Sequence, residues 1–355
     1  MTQSKGFLNL LGSIDNNQST IDNSNMILMG GSPSTGSSLL VNILNRHPEI
    51  FAGSETYLFL HKDLAENWNA YKSRLLNTGK IRGLKSPAWF RFNGVLLENE
   101  DYAWTRGELE ILIKESQTYE AFVNAFFERP LEKNNKSIWI EKSPANSFNF
   151  KYFAERNPKT KVIQVIRNPY DTAASLFKRG NNAWFSAGRC LFANARALSA
   201  AHLPNYYCIS YENLVENPEE EVAKLLSFLN LSTDVNLLEP TAAERAKIVQ
   251  MPGWQHNEHG KIGKSSVGRF QKLEIKEQAL LRAAFSSFQL NGKYVLNPDL
   301  RTAKQIFAAL DYEYFPEEVK PFKEILHEAR AKDMWARTWR LYPSGMGNYP
   351  AEIVV

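Results

Sequence analysis

A chain of 355 residues that is 43% hydrophobic and 12% aromatic can bury a large core, as one large domain or two smaller ones. A formal charge of +4, with positives alternating with negatives along most of the chain, suits a pocket for an anionic ligand and argues against nucleic acid as a partner. No run of about 18 apolar residues is present to cross a bilayer, and the N-terminus lacks the charged-then-apolar order of a secretory signal, so a cytoplasmic location is expected.

Residues 13–25 (SIDNNQSTIDNSN) are almost all polar and cannot bury enough apolar surface to offset ordering entropy. Residues 1–25 are therefore read as a disordered tail. Met26 to Gly30 is a short apolar run suited to a buried strand, and Leu39, Leu40, Ile43 and Leu44 then form a helical stripe. Further buried strands are expected at Ile138–Glu141, Lys161–Ile166 and Tyr206–Ser210. Asn168-Pro169 reads as an N-cap and first helical residue, with Lys178-Arg179-Gly180 as the basic last turn and its glycine stop. Asn217-Pro218 followed by three glutamates opens another helix, with carboxylates at its positive end. Cys190 and Cys208 lie in apolar surroundings without metal-ligand spacing and are expected to be buried free thiols. After about residue 275 the pattern is helical. Strands alternating with helices predict an α/β fold with a mostly parallel, P-loop-like sheet flanked by helices and a helical C-terminal region. No linker rich in Pro, Gly or Ser divides the ordered part. Residues 26–300 are expected to form one domain, with 301–355 a helical extension packed on it.

The most informative stretch is MILMGGSPSTGSSLLVNIL, Met26 to Leu44. Small residues between strand and helix let successive N–H groups curl inward, and the helix N-terminus adds its positive end. Ser34, Thr35, Gly36, Ser37 and Ser38 are therefore candidate anion-binding residues; the alternative is an ordinary Gly/Ser turn. Gly31 and Gly36 satisfy G-x-x-x-x-G, yet Ser37 stands where a nucleoside-triphosphate loop needs its Lys. No apolar strand ends in an Asp placed to hold Mg²⁺. An ATP-dependent phosphotransferase is thus disfavoured. The second strong signal runs from Lys161 through Arg167 to Ser175: a buried strand ends in an Arg, and a proline-initiated helix carries a Ser eight residues on. An Arg at that edge can hold a phosphate bidentately.

In these motifs the chain resembles the PAPS-dependent sulfotransferases, where PAPS is 3′-phosphoadenosine-5′-phosphosulfate. The likeness continues through Leu39-Leu40, His47-Pro48-Glu49 and Gly53-Ser54-Glu55-Thr56, a pattern most similar to the tyrosylprotein sulfotransferases and bacterial small-molecule relatives. It implies that Arg167 and Ser175 bind the 3′-phosphate of PAPS and its desulfated product PAP, and that Tyr211, in Ser210-Tyr-Glu-Asn-Leu214, approaches the adenine. It also implies that Lys264 and Ser265, in Gly263–Phe270, belong to a loop closing over that phosphate. The role of Arg269 in this loop stays open. The likeness spans roughly residues 26 to 275. It departs at Ser34, where the family usually has Arg or Lys, so another cation must cover the bridging oxygen or activity is impaired.

Sulfuryl transfer needs an in-line acceptor, a base, neutralisation of the bridging oxygen and exclusion of water, with no metal required. The resemblance assigns Glu55 as base, 19 residues after Gly36, with His256 and His259 as rivals. His47 reads as a helix-end residue, and His61, His202 and His327 carry no motif. Lys142, at the end of the IWIE strand, matches the family lysine on the bridging oxygen. Lys85, in Gly83-Leu-Lys85-Ser-Pro87, has a similar setting and is the alternative cation. Trp68, Tyr71, Trp89, Phe90, Phe92, Tyr102 and Trp104 are candidates for an apolar acceptor pocket or for core. The expected activity is transfer of a sulfuryl group from PAPS to a hydroxyl or amine of a small-molecule acceptor. The alternatives are a catalytically impaired nucleotide-binding protein and a phosphotransferase.

Overall fold

The structure is a computed structural model that describes residues 26–60, 62–75, 80–81, 84–85, 102–240, 262–317 and 351–353. Its centre is a five-stranded, wholly parallel sheet: β1 (Met26–Gly31), β2 (Ile50–Ala52), β3 (Ile138–Lys142), β4 (Lys161–Ile166) and β5 (Tyr206–Ser210), in the spatial order β2-β3-β1-β4-β5. The four strands legible in the sequence are all present, and the three-residue β2 is the addition. β1 is buried along its whole length, as expected for a parallel strand covered on both faces. The chain leaves β1 towards β2 and β3, then crosses to β4 and β5 on the other side. A crevice therefore opens beyond the carboxyl end of β1, where open α/β sheets bind ligands. Register aligns that rim, with Met29 opposite both Lys142 and Ile163, and Gly31 opposite Val165.

Helices cover both faces. On one, α1 (Ser37–Asn45) packs with a later helix, Pro218–Leu229, through Leu40, Ile43, Leu44, Leu225 and Leu226. On the other, α2 (Arg106–Glu115), α3 (Tyr119–Asn134) and α4 (Phe150–Arg156) build an aromatic core in which Phe127 stacks on Trp139 at 3.8 Å between ring centroids. Trp68, Tyr102 and Trp104 belong to this core and Tyr71 packs against it. Trp89, Phe90 and Phe92 lie outside the described residues. A third cluster joins α5 (Pro169–Phe177), α6 (Ala183–Leu198), α7 (Ile275–Ser286) and α8 (Ala303–Ala309).

Local signals behave as the sequence suggests. Asn168 caps α5, its side chain accepting from Tyr170 N–H at 2.9 Å, with Pro169 at the first helical position and Gly180 at φ +86° beyond the end. Cys190 is buried, and burial pushes its thiol up to about 12. Cys208 is exposed rather than buried, because β5 is the edge strand and Cys208 lies on the face opposite its core residue Ile209. Beyond α8, Ala351–Ile353 is a strand, antiparallel to Phe288–Leu290; this end of the expected helical extension is not helical. Residues 1–25 and 318–350 lie outside the described residues.

Candidate active site

Between β1 and α1 the loop Ser32–Gly36 turns through two left-handed residues, Ser34 at φ +76° and Gly36 at φ +88°. Gly36 is required twice over. Its φ disfavours any side chain, and a Cβ there would meet the Tyr211 ring at 2.3 Å. Thr35 is buried and its Oγ1 donates to Ser32 C=O at 3.0 Å, tightening the turn. α1 then starts with Ser37 and Ser38, whose first-turn N–H groups have no carbonyl ahead of them within the helix. The Ser34 Oγ is buried without a hydrogen-bond partner.

Arg167 follows β4 immediately and is 3% exposed. Its Nη1 donates to Ser34 C=O at 3.0 Å and its Nη2 to Ser266 C=O, so one guanidinium ties the β1 loop to the loop after residue 262. Asp171, one turn on, lies 3.7 Å away, and the Arg167 Nε has no partner. Burial pulls the Arg167 pKa down, Asp171 raises it and nearby Arg269 lowers it further; an arginine keeps its charge nonetheless. Ser175 Oγ accepts from Arg269 Nη1 at 3.0 Å, and Arg269 Nη2 donates to Ser266 Oγ at 2.8 Å.

Two participants escaped sequence reasoning. Arg269 joins Ser175 to the later loop, and its only signal was its place beside Gly268 in Gly263–Phe270. Asp171 holds that loop, accepting from Gly268 N–H at 2.7 Å and Phe270 N–H at 2.8 Å, and nothing in the local sequence marks it for that role. Lys264 and Ser265 are both exposed, and Lys264 pairs with Glu216. Their neighbour Ser266 bonds Arg167 through its C=O and Arg269 through its hydroxyl. Tyr211 is buried against Gly36, its hydroxyl donating to Gly263 C=O at 3.2 Å and its ring 5.4 Å from Arg167 Cζ.

On the other side of β1, Lys142 at the end of β3 meets Glu55 at 2.7 Å between Nζ and Oε1, with Ser38 Oγ 3.4 Å from the same Nζ. One ammonium thus touches both the expected base and the start of α1. The preceding residue, Glu141, is wholly buried. Its Oε1 accepts from Thr56 N–H at 2.8 Å, Thr56 Oγ1 at 2.9 Å and Ser143 Oγ at 2.7 Å, and its Oε2 from Asn146 Nδ2. Burying an ionised carboxylate costs several kcal/mol; four hydrogen bonds, each contributing about 1.5–3 kcal/mol when the acceptor is charged, are of the size needed to offset it. Burial raises the Glu141 pKa and these bonds oppose the rise.

The remaining candidates separate. Lys85 lies in a two-residue strand, opposite Lys80. His256, His259, His61 and His327 lie outside the described residues. His47 is buried beyond α1, its Nδ1 accepting from Glu49 N–H at 3.1 Å, and burial holds its pKa below the usual 6.5; His202 is exposed. Among the described residues no cluster of three His, Cys, Asp or Glu is grouped to hold a metal ion, and no helix is long and apolar enough to cross a membrane.

Residues 26–235 match the profile of the Sulfotransferase family. No curated protein sequence matches the chain. Among solved structures, the chain is similar to the sulfotransferase domain of the Synechococcus PCC 7002 olefin synthase, at 16% identity, covering 81% of this chain and 94% of that one with a TM-score of 0.46. The sulfotransferase domain from the curacin biosynthetic pathway gives 20% identity, 82% and 99% coverage and a TM-score of 0.46. The sulfotransferase STF1 from Mycobacterium tuberculosis H37Rv gives 12%, 65% and 71%, and 0.37.

Proposed function

Because the chain belongs to the sulfotransferase family, we propose that it moves a sulfuryl group from PAPS to a hydroxyl or amine of a small-molecule acceptor in the cytoplasm, releasing PAP. The observation that carries the reading is the meeting of three sequence-distant groups at one sheet rim: the Ser32–Ser38 loop, the Arg167–Ser175–Arg269 cluster bonded to it, and the Glu55–Lys142 pair beside Ser38. The residues fit such a donor. The buried, unpartnered Ser34 Oγ and Arg167 Nε offer polar capacity to an anionic ligand, and arginines suit bidentate phosphate.

In this reading Thr35, Gly36, Ser37 and Ser38 hold the phosphosulfate end, Arg167, Ser175 and Arg269 the 3′-phosphate, and Tyr211 the adenine. PAPS supplies the activated sulfuryl group when bound. Glu55 accepts the proton of the acceptor hydroxyl or amine at a carboxylate oxygen. Lys142 Nζ places positive charge between that carboxylate and the α1 terminus, taking the part that Ser34 has no charge to fill. The loop carbonyls that bind Arg167 aim its guanidinium before any ligand arrives, which lowers the ordering cost of binding.

A metal-free calorimetric titration comparing PAP with AMP and with ATP–Mg²⁺ tests this. PAP is expected to bind most tightly, and Arg167→Ala to weaken PAP about 100-fold, the loss of two charge-assisted bonds, while leaving AMP nearly unchanged. A preference for ATP–Mg²⁺, or no nucleotide binding, overturns the proposal.

A further inference from the structure

We propose that Glu141 is a positioning residue: through Thr56 it fixes the backbone next to Glu55, so that the Glu55 carboxylate meets Lys142. The assignment of Glu55 as base rests on the function proposed above; the positioning itself rests on geometry alone.

A buried carboxylate ordinarily pairs with a cation, yet among the described residues none pairs with Glu141. Its acceptor capacity goes to segments that carry the site. Thr56, adjacent in sequence to Glu55 and wholly buried, gives Glu141 both its N–H and its hydroxyl. Ser143, next to Lys142, donates its hydroxyl to the same Oε1 while its Oγ accepts from Tyr57 N–H at 3.3 Å. Asn146 bonds the other oxygen and also donates to Met29 C=O at 3.2 Å, on the strand that feeds the phosphate loop. The Glu141 carboxylate thus accepts directly from the base segment and from Ser143 beside the cation, and is linked to β1 only through Asn146. Side-chain alternation along β3 sends Glu141 and Lys142 to opposite faces, so Glu141 holds the turn from behind while Lys142 meets Glu55 in front.

The turn is held on another side as well, where the Ser54 C=O accepts from the Tyr102 hydroxyl at 2.5 Å. Residues 53–57 belong to no helix or strand, and Tyr57 sits at φ +61°, an uncommon conformation for a bulky side chain that persists only when its surroundings over-determine it. A carboxylate that accepts from two successive residues' worth of donors, Thr56 directly and Tyr57 through Ser143, supplies that constraint.

Glu141→Gln keeps shape but replaces one acceptor oxygen by a donor. Thr56→Val keeps shape and deletes one hydroxyl, and Thr56→Ser keeps the hydroxyl and deletes a methyl. Crystal structures of the three variants, PAP affinity by calorimetry and steady-state kinetics with PAPS form the test. In Glu141→Gln and Thr56→Val the Glu55–Lys142 separation, 2.7 Å here, is expected to open beyond ion-pair distance. kcat is expected to fall at least about tenfold, with PAP affinity within about twofold of the parent. Thr56→Ser is expected to restore both separation and kcat. If Glu141→Gln does not fold, the two Thr56 variants still decide. An unchanged Glu55–Lys142 contact in Thr56→Val, or a Thr56→Ser enzyme as slow as Thr56→Val, overturns the positioning role. If the parent protein transfers no sulfuryl group, the functional reading fails, while the separations in the variants still decide the positioning claim.

Discussion

The two corners of the site are built by different means. At the Arg167 corner, the turn after β1 and Arg167 itself sit at strand–helix junctions shaped by local chain geometry, namely the left-handed turn of Ser34 and Gly36, the Asn168 cap and the one-turn spacing of Arg167 and Asp171, while Ser266 and Arg269 join them from a distant loop. At the Glu55 corner, Glu55, the proposed base, lies on irregular backbone and its direction depends on bonds to residues 85 to 87 positions away. The first corner is sensitive chiefly to its own backbone and to the loop that holds Arg167 and Asp171. The second is sensitive to buried side chains that never touch a substrate.

The largest expected effect comes from separating them. Glu55→Gln should lower kcat by at least about 100-fold, the scale of removing a general base, while PAP affinity changes little; a parallel loss of PAP binding would show that the corners are not independent. Gly36→Ala attacks the other corner through its backbone. A left-handed alanine facing the Tyr211 ring should cost about 2–4 kcal/mol, lowering Tm by about 3–5 °C and weakening PAP with it; a thermal melt and a titration check both.

Acidification should reach neither corner first but the end of α1. His47 has its pKa lowered by burial, so below about pH 6.5 the unfolded chain binds the proton that the native chain refuses. Its contribution to stability is full above that pH and is lost as pH falls towards the lowered native value, with a slope of up to about 1.4 kcal/mol per pH unit. Denaturant melts from pH 7.5 to 5.5 should show this, and His47→Asn should flatten it. The smallest effect is expected outside both corners. Lys178 and Glu277 pair at 2.7 Å, with the lysine mostly exposed, and Lys178→Ala should change stability by no more than about 0.5 kcal/mol in the same assay.

The difference between the corners also explains what could be read from the chain alone. β1, β3 and β4 were legible because buried parallel strands are continuous apolar runs, β5 by its short apolar run although only Ile209 of it is buried, and the Asn168 cap and the helix start at Asn217-Pro218 because Asn-Pro is a local instruction. The phosphate loop and Arg167–Ser175 were legible for the same reason: contiguous residues at a junction carry their geometry with them. Cys208 was misread because an apolar neighbourhood in sequence does not say whether a strand is central or at an edge. β2 and the Phe288–Leu290 pairing with Ala351–Ile353 were missed because three residues hold too little pattern to outweigh their surroundings.

By itself, then, the sequence determined the parallel α/β sheet, the small-residue turn after β1 and the arginine beside it, all of which follow from short-range periodicity and backbone restriction. Only the tertiary structure decided that Glu55 meets Lys142, that Ser266 and Arg269 bond the Arg167–Ser175 cluster, and that Glu141 and Asp171 anchor segments distant in sequence. Those are hydrogen bonds across gaps of 85 to 99 residues. A side chain's partner over such a distance is set by how layers pack, and no local pattern encodes it.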